Sequence, residues 1–144
     1  MSLVGTAHSN LFVYGTLMRR AQGALGMAQR ARLEREGVNH GAATLAGAEL
    51  FDFGRYPGLV LTGNEMQIVH GELITLSDAE RSFVWLDEYE GFSPGQNHEN
   101  DYDRVERTVR RANGEIVTAW VYVFLKDVLH GRPIPSGRWM DQAR

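Results

Sequence analysis

Glycine is the feature that most restricts what this chain can build. Sixteen glycines are spread through 144 residues, more than average usage predicts. They cut the apolar content into short runs, which read as strands joined by tight connections rather than as a bundle of long helices. Leu11-Phe12-Val13-Tyr14 is stopped by Gly15, Leu59-Val60-Leu61 follows Tyr56-Pro57-Gly58, and Ile68 to Leu76 runs through Gly71. The first of these reads as a strand buried on both faces. In the last, Gly71 predicts a bulge or a close approach.

The rest of the chain fits the same reading. Residues 42–53 are predicted as one strand, with turns at Gly54 and Tyr56-Pro57-Gly58 and at Gly63-Asn64. Residues 102–111 and 115–125 are predicted as strands joined by Asn113-Gly114, a strong hairpin signal. Helix-forming residues over 18–36 predict one or two helices, with Gly37 as a stop. The clearest helix is predicted over 78–90, where Ser77 and Glu80 form an S-x-x-E capping box and Gly91 follows the end. Residues 92–101 read as a polar loop and 126–144 as a mostly irregular tail. Strands interrupted by one main helix imply an α+β fold with a strongly curved sheet or a small barrel. No repeat or linker divides the chain, so residues 10–144 are expected to form one domain behind a flexible stretch, 1–9.

Composition removes several function classes. With no cysteine, disulfides, thiolate catalysis and cysteine-bound metals are excluded. A net charge of −3 leaves no electrostatic footprint for nucleic acid, and Arg104, Arg107, Arg110 and Arg111 read as a solvated strand edge. No apolar run approaches the ~20 residues that span a bilayer. The first ten residues lack a basic and then apolar leader pattern, and a cytoplasmic location is expected. The five histidines, His8, His40, His70, His98 and His130, show no metal-ligand spacing, so no metal is expected.

Helix phase singles out one acid. Ala79, Phe83, Leu86 and Glu90 are spaced four, three and four apart and share one stripe. Glu90 therefore lies on the apolar face, with Glu88 opposite and Asp87 at the flank. Burial and the helix C-terminus both raise a carboxyl pKa, which suits a group that accepts and returns a proton near neutral pH. A solvated helix end is the competing reading. The second feature is Tyr14-Gly15-Thr16-Leu17, where a strand ending in Gly-Thr can turn backbone N–H groups inward to hold an anion. Trp85, Trp120 and Trp139 are expected in the core or a pocket wall.

In order and spacing these motifs resemble the γ-glutamylcyclotransferase-like family, above all its small bacterial members and the γ-glutamylamine cyclotransferases. The resemblance rests on Phe12-Val13-Tyr14-Gly15-Thr16-Leu17, Tyr56-Pro57-Gly58, Gly71-Glu72-Leu73, Leu86-Asp87-Glu88-Tyr89-Glu90-Gly91, Tyr102-x-Arg104, Ala119-Trp120-Val121-Tyr122 and Ile134-Pro135-Ser136-Gly137-x-Trp139. It implies a small mixed β-barrel with flanking helices. It places the catalytic glutamate at Glu90, the substrate-cradling loop at Tyr14, Gly15, Thr16 and Leu17, and pocket aromatics at Tyr102 and Tyr122. The implied partner is a small γ-glutamyl substrate, cyclised to 5-oxoproline with release of an amine or amino acid, and no cofactor is implied. The Y-G-T-L loop differs from the Y-G-S-N form of the γ-glutamyl amino acid enzymes and leaves the leaving group open. Residues 20–40 are longer than the smallest members imply, enough for a lid or an oligomer contact. A non-catalytic small-ligand binding module on the same fold is the alternative from a different class.

Overall fold

The computed structural model of the protein describes residues 9–19, 21, 26–91 and 100–141. In chain order its elements are β1 (Asn10–Val13), α1 (Met27–Glu36), β2 (Gly37–Ala46), β3 (Ala48–Asp52), β4 (Pro57–Leu61), β5 (Ile68–Leu76), α2 (Ala79–Glu90), β6 (Tyr102–Arg111), β7 (Ile116–Phe124) and β8 (Arg132–Ile134). The expected N-terminal stretch and polar loop fall largely outside the described residues, as do His8 and His98.

Five strands close a barrel in the order β1-β5-β2-β6-β7. β1 is antiparallel to β5 and meets β7 in parallel at Leu11 and Trp120, so the barrel is mixed. This is the α+β architecture of a small mixed barrel with helices that the sequence implies. Leu11, Phe12 and Val13 are buried because β1 is enclosed on both edges and both faces. Gly71 allows that closeness, since a methyl group there would run into the Val13 carbonyl oxygen and the Phe12 ring. A second antiparallel sheet, β4-β3-β8, stands beside the barrel.

Four boundaries differ from expectation. The strand over 42–53 is two strands in two sheets, broken at Gly47. Its φ of 81° turns the chain, and its carbonyl accepts from the Thr62 and Gly63 N–H groups. The barrel half starts five residues earlier, at Gly37, where Gly37, Val38 and Asn39 pair with β5 before a bulge between Asn39 and Ala42. Pro57 and Gly58 belong to a strand rather than a turn, paired with Asp52 and Phe51. Helix α2 is capped by Asp78, whose carboxylate accepts from the Arg81 N–H at 3.3 Å. Ser77 lies one residue before the cap, its N–H donating to the Glu36 carbonyl at the end of α1 (2.8 Å). The tail also contributes β8, a strand too short to show any periodicity. Within residues 20–40, α1 and the start of β2 account for all of the described part but Ala21 and Gly26.

Candidate functional site

The end of α2, the turn after β1 and the inner ends of β6 and β7 surround a cavity of about 610 Å³, a size typical of small-molecule sites. Glu90, Tyr14, Gly15, Thr16, Leu17, Tyr102 and Tyr122 all line it. The structure therefore brings together every site residue singled out from sequence.

Glu90 arrives there by helix phase. Phe83 and Leu86 on the same stripe are buried, while Val84 and Glu80 on other faces are exposed. Gly91 ends the helix at φ 74°, its N–H donating to the Glu88 and Asp87 carbonyls, so Glu90 is the last helical side chain on the inward stripe. It is half-buried, and burial pushes its carboxyl up to about 7.

Its surroundings explain why nothing offsets that burial. Tyrosines 14, 89, 102 and 122 are near enough for the charge on Glu90 to raise their own hydroxyl pKa values, with burial the larger cause in each. Three of those hydroxyls donate elsewhere. Tyr14 donates to the Tyr122 carbonyl at 2.6 Å, Tyr102 to the Pro57 carbonyl at 2.8 Å, and Tyr122 to Asp87 Oδ1 at 2.6 Å. Three of the four tyrosine hydroxyls around Glu90 are thus committed to other acceptors. Among the described residues no hydrogen bond or ion pair holds its carboxylate.

The turn after β1 is fixed at several points. The Met18 N–H closes it onto the Gly15 carbonyl at 3.1 Å. Thr16 Oγ1 lies 3.1 Å from the Tyr89 hydroxyl, which ties the turn to the residue preceding Glu90. Beyond the turn, the Arg19 N–H donates to buried Glu72 Oε1 at 2.6 Å, and Asn39 Nδ2 donates to the same oxygen at 3.0 Å. Gly15 is required by a close approach, since a methyl group there would sit 2.5 Å from the Pro57 ring.

A further network holds α2 against the barrel. Asp87 accepts from Arg104 Nε at 2.8 Å and Nη2 at 3.2 Å, and the guanidinium lies over the rings of Phe83 (4.0 Å) and Trp120 (4.6 Å). The basic cluster of β6 is therefore divided. Arg104 turns inward, Arg111 pairs with Glu115, and Arg107 and Arg110 stay exposed.

Sequence reasoning missed part of the cavity. Phe53 and Phe124 form an aromatic wall with ring centroids 4.6 Å apart, and Phe53 stacks on Tyr56 at 5.6 Å. Asp101, Lys126, Asp127 and His130 complete the mouth; His130 is an exposed turn residue that also lines the cavity. Only Tyr56 carried a signal, through its place in Tyr-Pro-Gly. The tryptophans pack in or against the core, not in the cavity lining. Among the described residues no three histidines or acids stand where they could hold a metal ion, and no helix is long and apolar enough to cross a membrane.

Residues 11–141 match the family described as "Gamma-glutamyl cyclotransferase, AIG2-like". No curated protein matches in sequence. Solved structures do resemble the chain. Protein ytfP of Escherichia coli is 25% identical with a TM-score of 0.61, covering 92% of this chain and 96% of that one. An AIG2-like protein of Mus musculus is 20% identical with a TM-score of 0.59, covering 94% and 84%. A gamma-glutamyl cyclotransferase is 17% identical with a TM-score of 0.60, covering 88% and 71%. The last two likenesses concern the fold.

Proposed function

Because the chain belongs to the gamma-glutamyl cyclotransferase, AIG2-like family, we propose that its cavity cyclises a γ-glutamyl compound to 5-oxoproline, with Glu90 moving the proton. The observation that carries this reading is a carboxyl raised to about 7 in the same cavity as the Gly15–Leu17 turn.

In the proposed reaction the substrate's α-ammonium gives a proton to the Glu90 carboxylate. The freed amine attacks the γ-carbonyl carbon, forming the ring C–N bond and an oxyanion. Collapse breaks the original C–N bond; the ring nitrogen gives up its second proton and the Glu90 acid returns the first, both to the departing nitrogen, which leaves as an ammonium. Atoms balance without water, and the products are 5-oxoproline and an amine or amino acid. An ordinary glutamate is too weak a base to take a proton from an ammonium cheaply. Raising its pKa from 4.5 to about 7 lessens that cost by about 3 kcal/mol. Backbone N–H groups of the turn are suited to the α-carboxylate or the oxyanion. Folding the substrate so that amine and carbonyl meet supplies rate through proximity.

A panel of γ-glutamyl amines, γ-glutamyl amino acids and glutathione, read out as 5-oxoproline, tests the reading. Glu90→Gln is expected to abolish product while the protein stays folded. Normal turnover by that variant would reject the role of Glu90, and binding without product by the unaltered protein would favour a ligand-binding module.

A further inference from the structure

We propose that Arg30, on α1, is a positioning residue that aims and polarises the Leu17 N–H toward the cavity. The proposal rests on reading the cavity as the γ-glutamyl site.

The turn Gly15–Met18 has the Thr16–Leu17 peptide as its central unit, because the Met18 N–H returns to the Gly15 carbonyl. A trans peptide points its C=O and N–H in opposite directions. Arg30 Nη1 donates to the Thr16 carbonyl oxygen at 2.9 Å, and Arg30 does not line the cavity, whereas Gly15, Thr16 and Leu17 do. The carbonyl is thus held on the α1 side, which leaves the Leu17 N–H directed at the cavity side. Gly26 closes the same position from behind, since a methyl group on it would lie 2.8 Å from the Thr16 oxygen. The carbonyl has little room to rotate away.

The contact also has an electronic consequence. A guanidinium bonded to an amide oxygen draws electron density through the conjugated unit and makes the N–H on its far end a stronger donor. An anion in the cavity, either the α-carboxylate or the oxyanion, then meets an amide that is pre-aimed and strengthened while the Arg30 guanidinium stays outside the lining. Arg30 is also close enough to lower the pKa of Tyr89 against the effect of burial, so its field reaches the wall beside Glu90.

The test compares Arg30→Met and Arg30→Lys with the unaltered protein, in 5-oxoproline release and in the Leu17 amide resonance of ¹⁵N-labelled samples. Arg30→Met is expected to lose about tenfold in kcat/KM, less than the about 10²–10³ that follows removal of an oxyanion donor outright. Its Leu17 amide proton should move upfield, while the acid limb of the pH profile set by Glu90 stays in place. Arg30→Lys, which keeps the charge but loses the planar fork, should fall between the two. Unchanged kcat/KM in Arg30→Met, or an unmoved Leu17 resonance, overturns the proposal. Where Arg30→Met fails to fold, a Leu17 resonance and kcat/KM both unchanged in Arg30→Lys do so. Absence of 5-oxoproline from the unaltered protein on every γ-glutamyl compound would sink the functional reading instead, and the Leu17 resonance would still decide the role of Arg30.

Discussion

Glu90→Gln should make the protein more stable at alkaline pH, and by an amount that the burial of Glu90 sets. A carboxyl that titrates at about 7 in the folded chain against an ordinary 4.5 favours its protonated form when folded. Stability tied to that form is fully present below about pH 4.5 and is lost as pH rises toward 7. Above pH 7 the accumulated cost is about 3 kcal/mol at 1.36 kcal/mol per pH unit, reduced to about 2 kcal/mol because Glu90 keeps some contact with solvent. Glutamine has nearly the same shape and no charge to desolvate. At pH 8 the variant should therefore melt about 6 °C higher than the unaltered protein, taking about 3 °C per kcal/mol for a chain of this size. At pH 4 the two should melt together. Calorimetry or urea unfolding at pH 4, 6 and 8 measures the difference. A variant equal to or less stable than the unaltered protein at pH 8, or a difference that does not grow with pH, would refute the argument that Glu90 is an uncompensated buried carboxylate.

Three other perturbations probe the frame around it. Glu36 joins α1 to α2, accepting from Ser82 Oγ at 2.6 Å, Trp85 Nε1 at 2.9 Å and Arg32 Nε at 2.7 Å; although burial pushes the other way, those donors hold its carboxyl down to about 2. Glu36→Gln should cost about 1–2 kcal/mol at pH 7, with the loss shrinking as pH falls from about 4.5 toward 2, as urea midpoints across that range would show. Asp87→Asn removes the carboxylate charge that Arg104 Nε and Nη2 bond between the Phe83 and Trp120 rings and should cost about 3 kcal/mol, seen as a melting temperature lower by roughly 9 °C. Gly71→Ala forces a methyl group into the Val13 carbonyl and should cost more than about 3 kcal/mol by urea unfolding, with loss of 5-oxoproline release in whatever folds, because Val13 leads into the Tyr14–Leu17 turn.

The site was more legible in the sequence than the sheet was. Glu90 could be found because α2 carries a repeat of four, three and four, and a helical repeat fixes direction without any knowledge of partners. Gly71 could be found because a glycine weakens the interior of an apolar strand unless a bulge or a neighbouring backbone needs the space. By contrast, Gly37, Val38 and Asn39 form no apolar run and pair in the barrel because β5 is there to receive them, a tertiary effect that local propensity does not record. Gly47 had no neighbours that distinguish a sheet-switching turn from a strand interior. Arg104 read as a surface cation because its partners, Asp87 and the Phe83 and Trp120 rings, are set by folding. The mouth residues Lys126, Asp127 and His130 lie in an irregular segment with no period to read.

The tyrosine arrangement around Glu90 makes the raised pKa a property of the frame rather than of the glutamate alone. A carboxylate near four hydroxyls would ordinarily gather their protons as hydrogen bonds and become a stronger acid. Here the Tyr122 hydroxyl goes to Asp87, Tyr122 lends its carbonyl to Tyr14, and Tyr102 is drawn off by Pro57. Each of those acceptors has a structural tie of its own: Asp87 to Arg104, the Tyr122 backbone to Arg104 across the β6–β7 ladder, and Pro57 to the Gly15 approach and the β3–β4 pair. The same contacts that lock the barrel to α2 and to the second sheet therefore withhold donors from Glu90. Tightening the frame and keeping the base weakly acidic are one arrangement, and loosening any of these acceptors would free a hydroxyl to bind Glu90 and pull its pKa back down.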